Sequence, residues 1–193
     1  MSYKAPWEKR SRKTDLDTVR KFILFVDGLT ECDYFDRFIR PDSRISLKVY
    51  NSSKYLHNTR KMRAKLEKDI VGPKDVVAVV TDLDEHTREK ITDLENGLRS
   101  FNAVLFMSNP SFEVWLVLHY GIPKGDLSQK GLEGMLSKHL GRPYVKADSI
   151  PSDADVGLAI SNAEKLLPVP STENCLDRIP STMVHVLVKE LVG

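Results

Sequence analysis

The chain has 193 residues, enough for a domain with a sizeable core, and its 41% hydrophobic and 29% charged residues are the balance of a globular protein. A net charge of +2 excludes a polycation that holds nucleic acid with its whole surface, so any such contact must be a local patch. No apolar run reaches the roughly 18–20 residues of a membrane span. The charged N-terminus has no signal-peptide core, and Cys32 and Cys175 form neither a ligand motif nor a disulfide framework, so a reducing cytoplasm is the expected location.

Residues 1–20 read as a basic N-terminal arm, either solvated or contacting phosphates. "KFILFVDG" predicts a buried strand near 22–27, stopped at Asp27-Gly28. "TECDYFDRFIR" predicts a helix with Thr30 as N-cap, Tyr34, Phe35, Phe38 and Ile39 at helical spacing, and Pro41 as its end. A second strand follows near 45–50, and "KYLHNTRKMRAKLEKDI" predicts a long basic helix ended near Gly72-Pro73. A third strand lies near 76–82, a helix over "REKITDLENGLR", a fourth strand near 103–107, and a short buried helix over "FEVWLVLHYG". This alternation predicts a parallel four-stranded sheet with helices on both faces, an α/β core over 21–121. Residues 122–193 are expected to be mainly helical, over "LSQKGLEGMLSKHL", "DVGLAISNAEKLL" and "STMVHVLVKELV", and packed on the sheet within one domain spanning 21–193.

Ligands of an open parallel sheet bind outside the carboxyl ends of its strands. Strand one ends there in Asp27, with Glu31 in the following helical turn. Strand three ends in Asp82 and Asp84, and strand four leads to Ser108, Asn109, Ser111 and Glu113. Taken singly, each acid has an ordinary reading as a cap, a turn residue or a solvated loop residue. Together, five carboxylates at three strand exits would repel one another, and oxygen-only ligands suit hard divalent cations, Mg²⁺ or Mn²⁺. His86 after the acid pair invites a role as general base but reads better as a supporting loop residue. His185, in an apolar helix, and Trp115 read as structural.

The fourth expected element, the long helix, gathers Lys54, Arg60, Lys61, Arg63, Lys65 and Lys68, with Tyr55 and His57 interleaved. Such a face can follow the phosphates of a nucleic acid. The plain alternative is a solvated helix face, since Glu67 and Asp69 dilute its charge.

"VDGLTECDYF", "VVTDLDEH", "SNPSFEVWLVLHY", "YVK" and "PSTMVHVLV", in this order from about residue 20 to the C-terminus, resemble the RloB (AbiLii-like) family of the Toprim superfamily, related to the OLD-family nucleases. The resemblance implies a Toprim-like (Rossmann-like) sheet, a role in phage defence or abortive infection, and an AAA-type ATPase as partner. It places Asp27 where Toprim proteins normally carry glutamate, Glu31 at the second acid of OLD-like nucleases, Asp82-Leu83-Asp84 at the D-x-D, and Ser111-Phe112-Glu113 at the S-x-E. Asp27 is one methylene shorter than the family's glutamate, so a ligand there would act through water or hold its ion more weakly.

The activity so implied is a two-metal phosphodiesterase, with two ions about 4 Å apart. Asp27, Asp82 and Asp84 would share one site, Glu31 and Glu113 would complete the second or orient water, and Ser111, His86 and Asn109 would support the ligands. Lys146 would stabilise transition-state charge, or else is a solvated surface lysine. The substrate would be DNA or RNA, tRNA included, and a homo-oligomer is compatible with the sequence. The competing expectation is a non-catalytic nucleic-acid-binding or regulatory subunit of an ATPase complex. A primase lacks its zinc ribbon here, and a topoisomerase its tyrosine domain.

Overall fold

The computed structural model describes residues 19–39, 45–52, 54, 58–67, 74–83, 86–147 and 155–192. Four strands run parallel: β1 (Arg20–Val26), β2 (Ile45–Asn51), β3 (Val76–Asp82) and β4 (Ala103–Asn109). A fifth, β5 (Ser181–Thr182), runs antiparallel to β4, and the sheet order is β2-β1-β3-β4-β5. The central position of β1 and β3 follows from their sequences. Phe22–Val26 and Val77–Val80 are buried without a break, as strands covered on both faces must be. β2 lies at an edge, and its burial alternates with the pleat.

The helices are α1 (Leu29–Asp36), α2 (Thr59–Leu66), α3 (Arg88–Arg99), α4 (Glu113–Leu118), α5 (Gln129–Leu140), α6 (Val156–Leu166), α7 (Thr172–Leu176) and α8 (Val184–Val192). α4 is buried on every side, Glu113 through Leu118, and packs between the sheet and helices α5 and α6. Trp115 is fully buried there, as its sequence context suggests. α7 and α8 lie against β4. His185 is buried with Nδ1 3.0 Å from the Thr182 carbonyl, a structural placement.

Several expectations are corrected. The sheet has five strands rather than four, because residues 181–182 pair with β4 at Ser108↔Thr182 and Asn109↔Ser181 instead of opening the last helix. The Ser108 and Thr182 hydroxyls, 2.9 Å apart in the interior, hold that register. α1 starts at Leu29 with Gly28 as its N-cap, so Thr30 sits inside the first turn. The helix stops at Asp36, before Phe38 and the exposed Ile39. α2 begins only at Thr59, because the Asn58 side chain accepts from the Lys61 N–H and caps it there. Lys54 therefore precedes the helix in a turn. α7 has no counterpart in the sequence reading; Ser171 caps it by accepting from the Asn174 N–H. The N-terminal arm through residue 18, Pro41, Tyr55, His57, Lys68, Asp69, Gly72-Pro73 and Asp84 lie outside the described residues. Arg20, the last residue of the expected arm, opens β1 and bonds Glu190 of α8 at 2.6 Å.

Candidate functional site

At the carboxyl edge of the sheet, β1 passes through Asp27-Gly28 directly into α1. This short exit turns Glu31 back toward the strand it followed. A Cβ on Gly28 would stand 2.8 Å from Glu31 Oε2, so the absence of a side chain at position 28 makes room for the carboxylate. Glu31 is only 5% exposed. Burial, and then the like charges of Asp27 and Glu113, push its carboxyl up to about 7, against a backbone hydrogen bond and the Lys146 ammonium that pull it down.

Asp27 accepts a hydrogen bond from the Thr81 hydroxyl at 3.2 Å, and His86 Nε2 stands 3.9 Å from the same oxygen, Oδ2. Asp82 closes β3, in register with Ser108 of β4. The backbone then turns: the Leu83 N–H donates to the carbonyls of Ser108 at 3.0 Å and Pro110 at 3.2 Å.

Glu113 opens α4, where an acid complements the helix dipole. It is 2% exposed, and both its oxygens have partners. Ser111 Oγ donates to Oε2 at 2.6 Å and the Tyr144 hydroxyl to Oε1 at 3.2 Å; Lys146 Nζ lies 3.9 Å from Oε1. Tyr144 and Lys146 arrive from α5. That helix ends at Gly141 with φ +66°, a conformation that glycine adopts without a Cβ clash. The following segment crosses the cleft, fixed by the Tyr144 N–H on Ser137 Oγ at 2.9 Å and the Ala147 N–H on Thr30 Oγ1 at 3.1 Å. Burial, and then the neighbouring Glu113 charge, raise the Tyr144 phenol, so it stays a donor at neutral pH.

Asp27, Glu31, Asp82, Glu113 and Lys146 thus line one cleft of about 480 Å³, floored by Phe112 and rimmed by Leu29. Ser111 reaches the cleft through Glu113 and His86 flanks Asp27. Asn109 points elsewhere: it is buried, and its amide donates to the carbonyls of Cys175 and Leu176, tying α7 to β4. Among the described residues, no group of three or more His, Cys, Asp or Glu side chains is assembled to hold a metal ion.

Three contributors escape a reading of the sequence. Thr81 shows only once the register Phe25↔Val79 is known, since two residues further on it faces Asp27. Thr30 is disguised as a helix cap. Tyr144 stands within the quoted "YVK", two residues before Lys146, and the "Y" of that motif was the available signal.

The basic residues of α2 lie outside the cleft. Arg60, Lys61, Arg63 and Lys65 are exposed, while Met62 and Leu66 anchor the helix from its buried side. Lys54 is exposed in the preceding turn.

The structure is a largely parallel α/β sheet with four carboxylates and a lysine around one cleft at its carboxyl edge, the edge where open parallel sheets bind ligands. The family model described as RloB-like protein matches residues 22–191, and the chain belongs to that family. Neither the curated proteins nor the solved structures gave a match. Among the described residues, no helix is long and apolar enough to cross a membrane.

Proposed function

We propose that the protein is a divalent-metal-dependent nuclease of a phage-defence or abortive-infection system, related to the Toprim and OLD-family enzymes. The observation that carries this reading is the convergence of Asp27, Glu31, Asp82 and Glu113, from three strand exits, on one cleft. The donor set fits a hard cation. It offers oxygen only, and burial, then the like charges of Asp27 and Glu113, push the Glu31 carboxyl up to about 7, a penalty that positive charge relieves. Asp27, Glu31, Asp82 and Glu113, with Asp84 beyond the described residues, would hold Mg²⁺ or Mn²⁺. Two bound ions would supply an activated water and stabilise the leaving oxygen of a phosphodiester.

The chain's own residues have separable tasks. Glu31, buried beside Asp27 and Glu113 in the cleft, would complete the second ion's ligands or orient the attacking water. Glu113 is fixed in orientation by Ser111 and Tyr144. The Thr81 hydroxyl, donating to Asp27 Oδ2, holds that shorter acid toward the cleft, and His86 stands beside the same oxygen. Lys146, with its side chain 59% exposed at the mouth, presents an ammonium to a phosphate. The substrate would be DNA or RNA, including tRNA.

One observation favours a second reading, a non-catalytic nucleic-acid-binding or regulatory subunit of an AAA-type ATPase complex: the first strand exit carries Asp27, one methylene shorter than the glutamate that Toprim proteins normally place there. Titration of Mg²⁺ and Mn²⁺ into the protein with labelled DNA, RNA and tRNA separates the two. The nuclease reading expects metal-dependent cleavage that Asp82→Asn abolishes; binding without cleavage at any metal concentration would support the second.

A further inference from the structure

We infer that Lys48 and Lys65, seated on Tyr50, form a binding site for the phosphodiester backbone of the nucleic acid that enters the Asp27 cleft; the inference rests on the nucleic-acid reading above. Lys48 belongs to β2 and Lys65 to α2, yet both ammoniums lie over one ring, 5.0 Å and 4.7 Å from the Tyr50 centroid. They are therefore within about 10 Å of each other, although like charges repel. The ring offsets part of that repulsion through two cation–π contacts, each worth roughly 0.5–1 kcal/mol at an exposed site. Tyr50 is itself held: it stacks on the fully buried Phe25 with centroids 5.3 Å apart, so its ring is a fixed seat. An anion placed between the two ammoniums would be attracted by both.

The pleat connects this seat to the cleft. Phe25 and Tyr50 are register partners in neighbouring parallel strands and share a face. Asp27 follows Phe25 by two residues, so it lies on that same face, where the Thr81 hydroxyl meets it. Adjacent strands about 4.8 Å apart and a rise of about 3.3 Å per residue put the Tyr50 and Asp27 backbones roughly 8 Å from each other. That separation is about one nucleotide step. A strand lying across the β2 edge would keep one phosphate on Lys48 and Lys65 while a neighbouring phosphodiester meets the acids. Because Phe25 covers one face of the ring and the lysines lie over it, the contact reads backbone charge and not base identity.

The test is fluorescence anisotropy of a short labelled oligothymidylate, in EDTA, at several KCl concentrations, with the wild type, Lys48→Gln, Lys65→Gln, the double variant and Tyr50→Leu. Each lysine variant should bind roughly threefold to tenfold more weakly and lower the slope of log Kd against log salt by about 0.7, the single-strand value per phosphate contact. The double variant should lose about twice that slope. Tyr50→Leu should weaken binding with the formal charge unchanged, because both ammoniums lose their seat. Since the two lysines are exposed, their variants should melt as the wild type does. A double variant with wild-type affinity and slope overturns the inference, as does a wild type that does not bind the oligonucleotide. The nuclease reading is judged separately, by cleavage on adding Mn²⁺, so the failure of either is distinguishable.

Discussion

The Ser111 hydroxyl donates to Glu113 Oε2 at 2.6 Å, with both side chains in the interior and only one residue between them. Phe112, between them, is buried and floors the cleft, so the pair cannot swing apart without uncovering the core. A charged group that loses such a donor inside a protein is destabilised by about 1–3 kcal/mol. Ser111→Ala should therefore lower the unfolding free energy measured by urea titration by that amount. Tyr144→Phe should do less, since its bond to Oε1 is longer, at 3.2 Å, and only partly buried.

Glu31 and His119 act on stability with opposite signs over nearly the same pH window. Glu31 is raised from 4.5 to about 7. Between those values the folded state binds more protons than the unfolded one, so this group makes stability fall as pH rises. His119, beside Tyr34 in the core, is held down from 6.5 to about 4, chiefly by burial. There the unfolded state binds more protons, so stability rises with pH from about 4 to 6.5. His185, also lowered by burial, adds to the His119 side. In EDTA, Glu31→Gln should therefore tilt the wild-type profile: its stability should climb more steeply from pH 4.5 to 6.5 and exceed wild type by up to about 3 kcal/mol above pH 7. A variant profile parallel to wild type in chemical denaturation would refute the assignment.

Cation binding should show in melting as well as in cleavage. If the cleft acids hold Mg²⁺ or Mn²⁺, saturation at about a hundred times Kd stabilises the fold by roughly 2.7 kcal/mol. The wild-type melting temperature should rise with added Mn²⁺, and in Asp82→Asn/Asp84→Asn the rise should vanish. The metal-free double variant should melt no lower than wild type, because removing charge from a crowded edge relieves repulsion. A much lower melting point would make these aspartates structural.

Gly28→Ala isolates the position of Glu31 from its presence. The backbone at residue 28, φ −143° and ψ −177°, is ordinary extended chain that alanine adopts without strain. The new methyl would meet only the end of the Glu31 side chain. Calorimetry should find stability changed by less than about 1 kcal/mol, while the Mn²⁺-induced rise in melting temperature should shrink. An unchanged metal response would show that Glu31 need not sit where it does.

The strand exits are legible in the sequence because doubly covered strands have continuous apolar runs and end abruptly. "FILFV" before Asp27 and "VVAVV" before "TD" leave little choice of boundary. The placement of Asp27, Glu31, Asp82 and Glu113 at neighbouring exits follows from those ends and from parallel pairing. The closing segment is not legible, because the contacts of Tyr144 and Ala147 with Glu113 and Thr30 span 31 and 117 residues and depend on where α5 docks. Cap positions mislead for a local reason: Thr30 has the chemistry of an N-cap, but its hydroxyl is engaged by the Ala147 N–H and the helix begins at the residue before it. β5 has two residues and no periodicity to read.

That two-residue strand governs the order in which the molecule can be finished. β4 is complete as a sequence at Asn109, yet its outer edge at Ser108 and Asn109 pairs with Thr182 and Ser181, more than seventy residues later. During synthesis the β4 edge leading to Ser111 and Glu113 therefore emerges long before its neighbour, with a strand flank open to other chains. A nascent chain paused short of residue 181 leaves that flank of β4 open to edge-to-edge association. Holding it apart until the last strand arrives is the task that folding sets for whatever receives the chain at the ribosome.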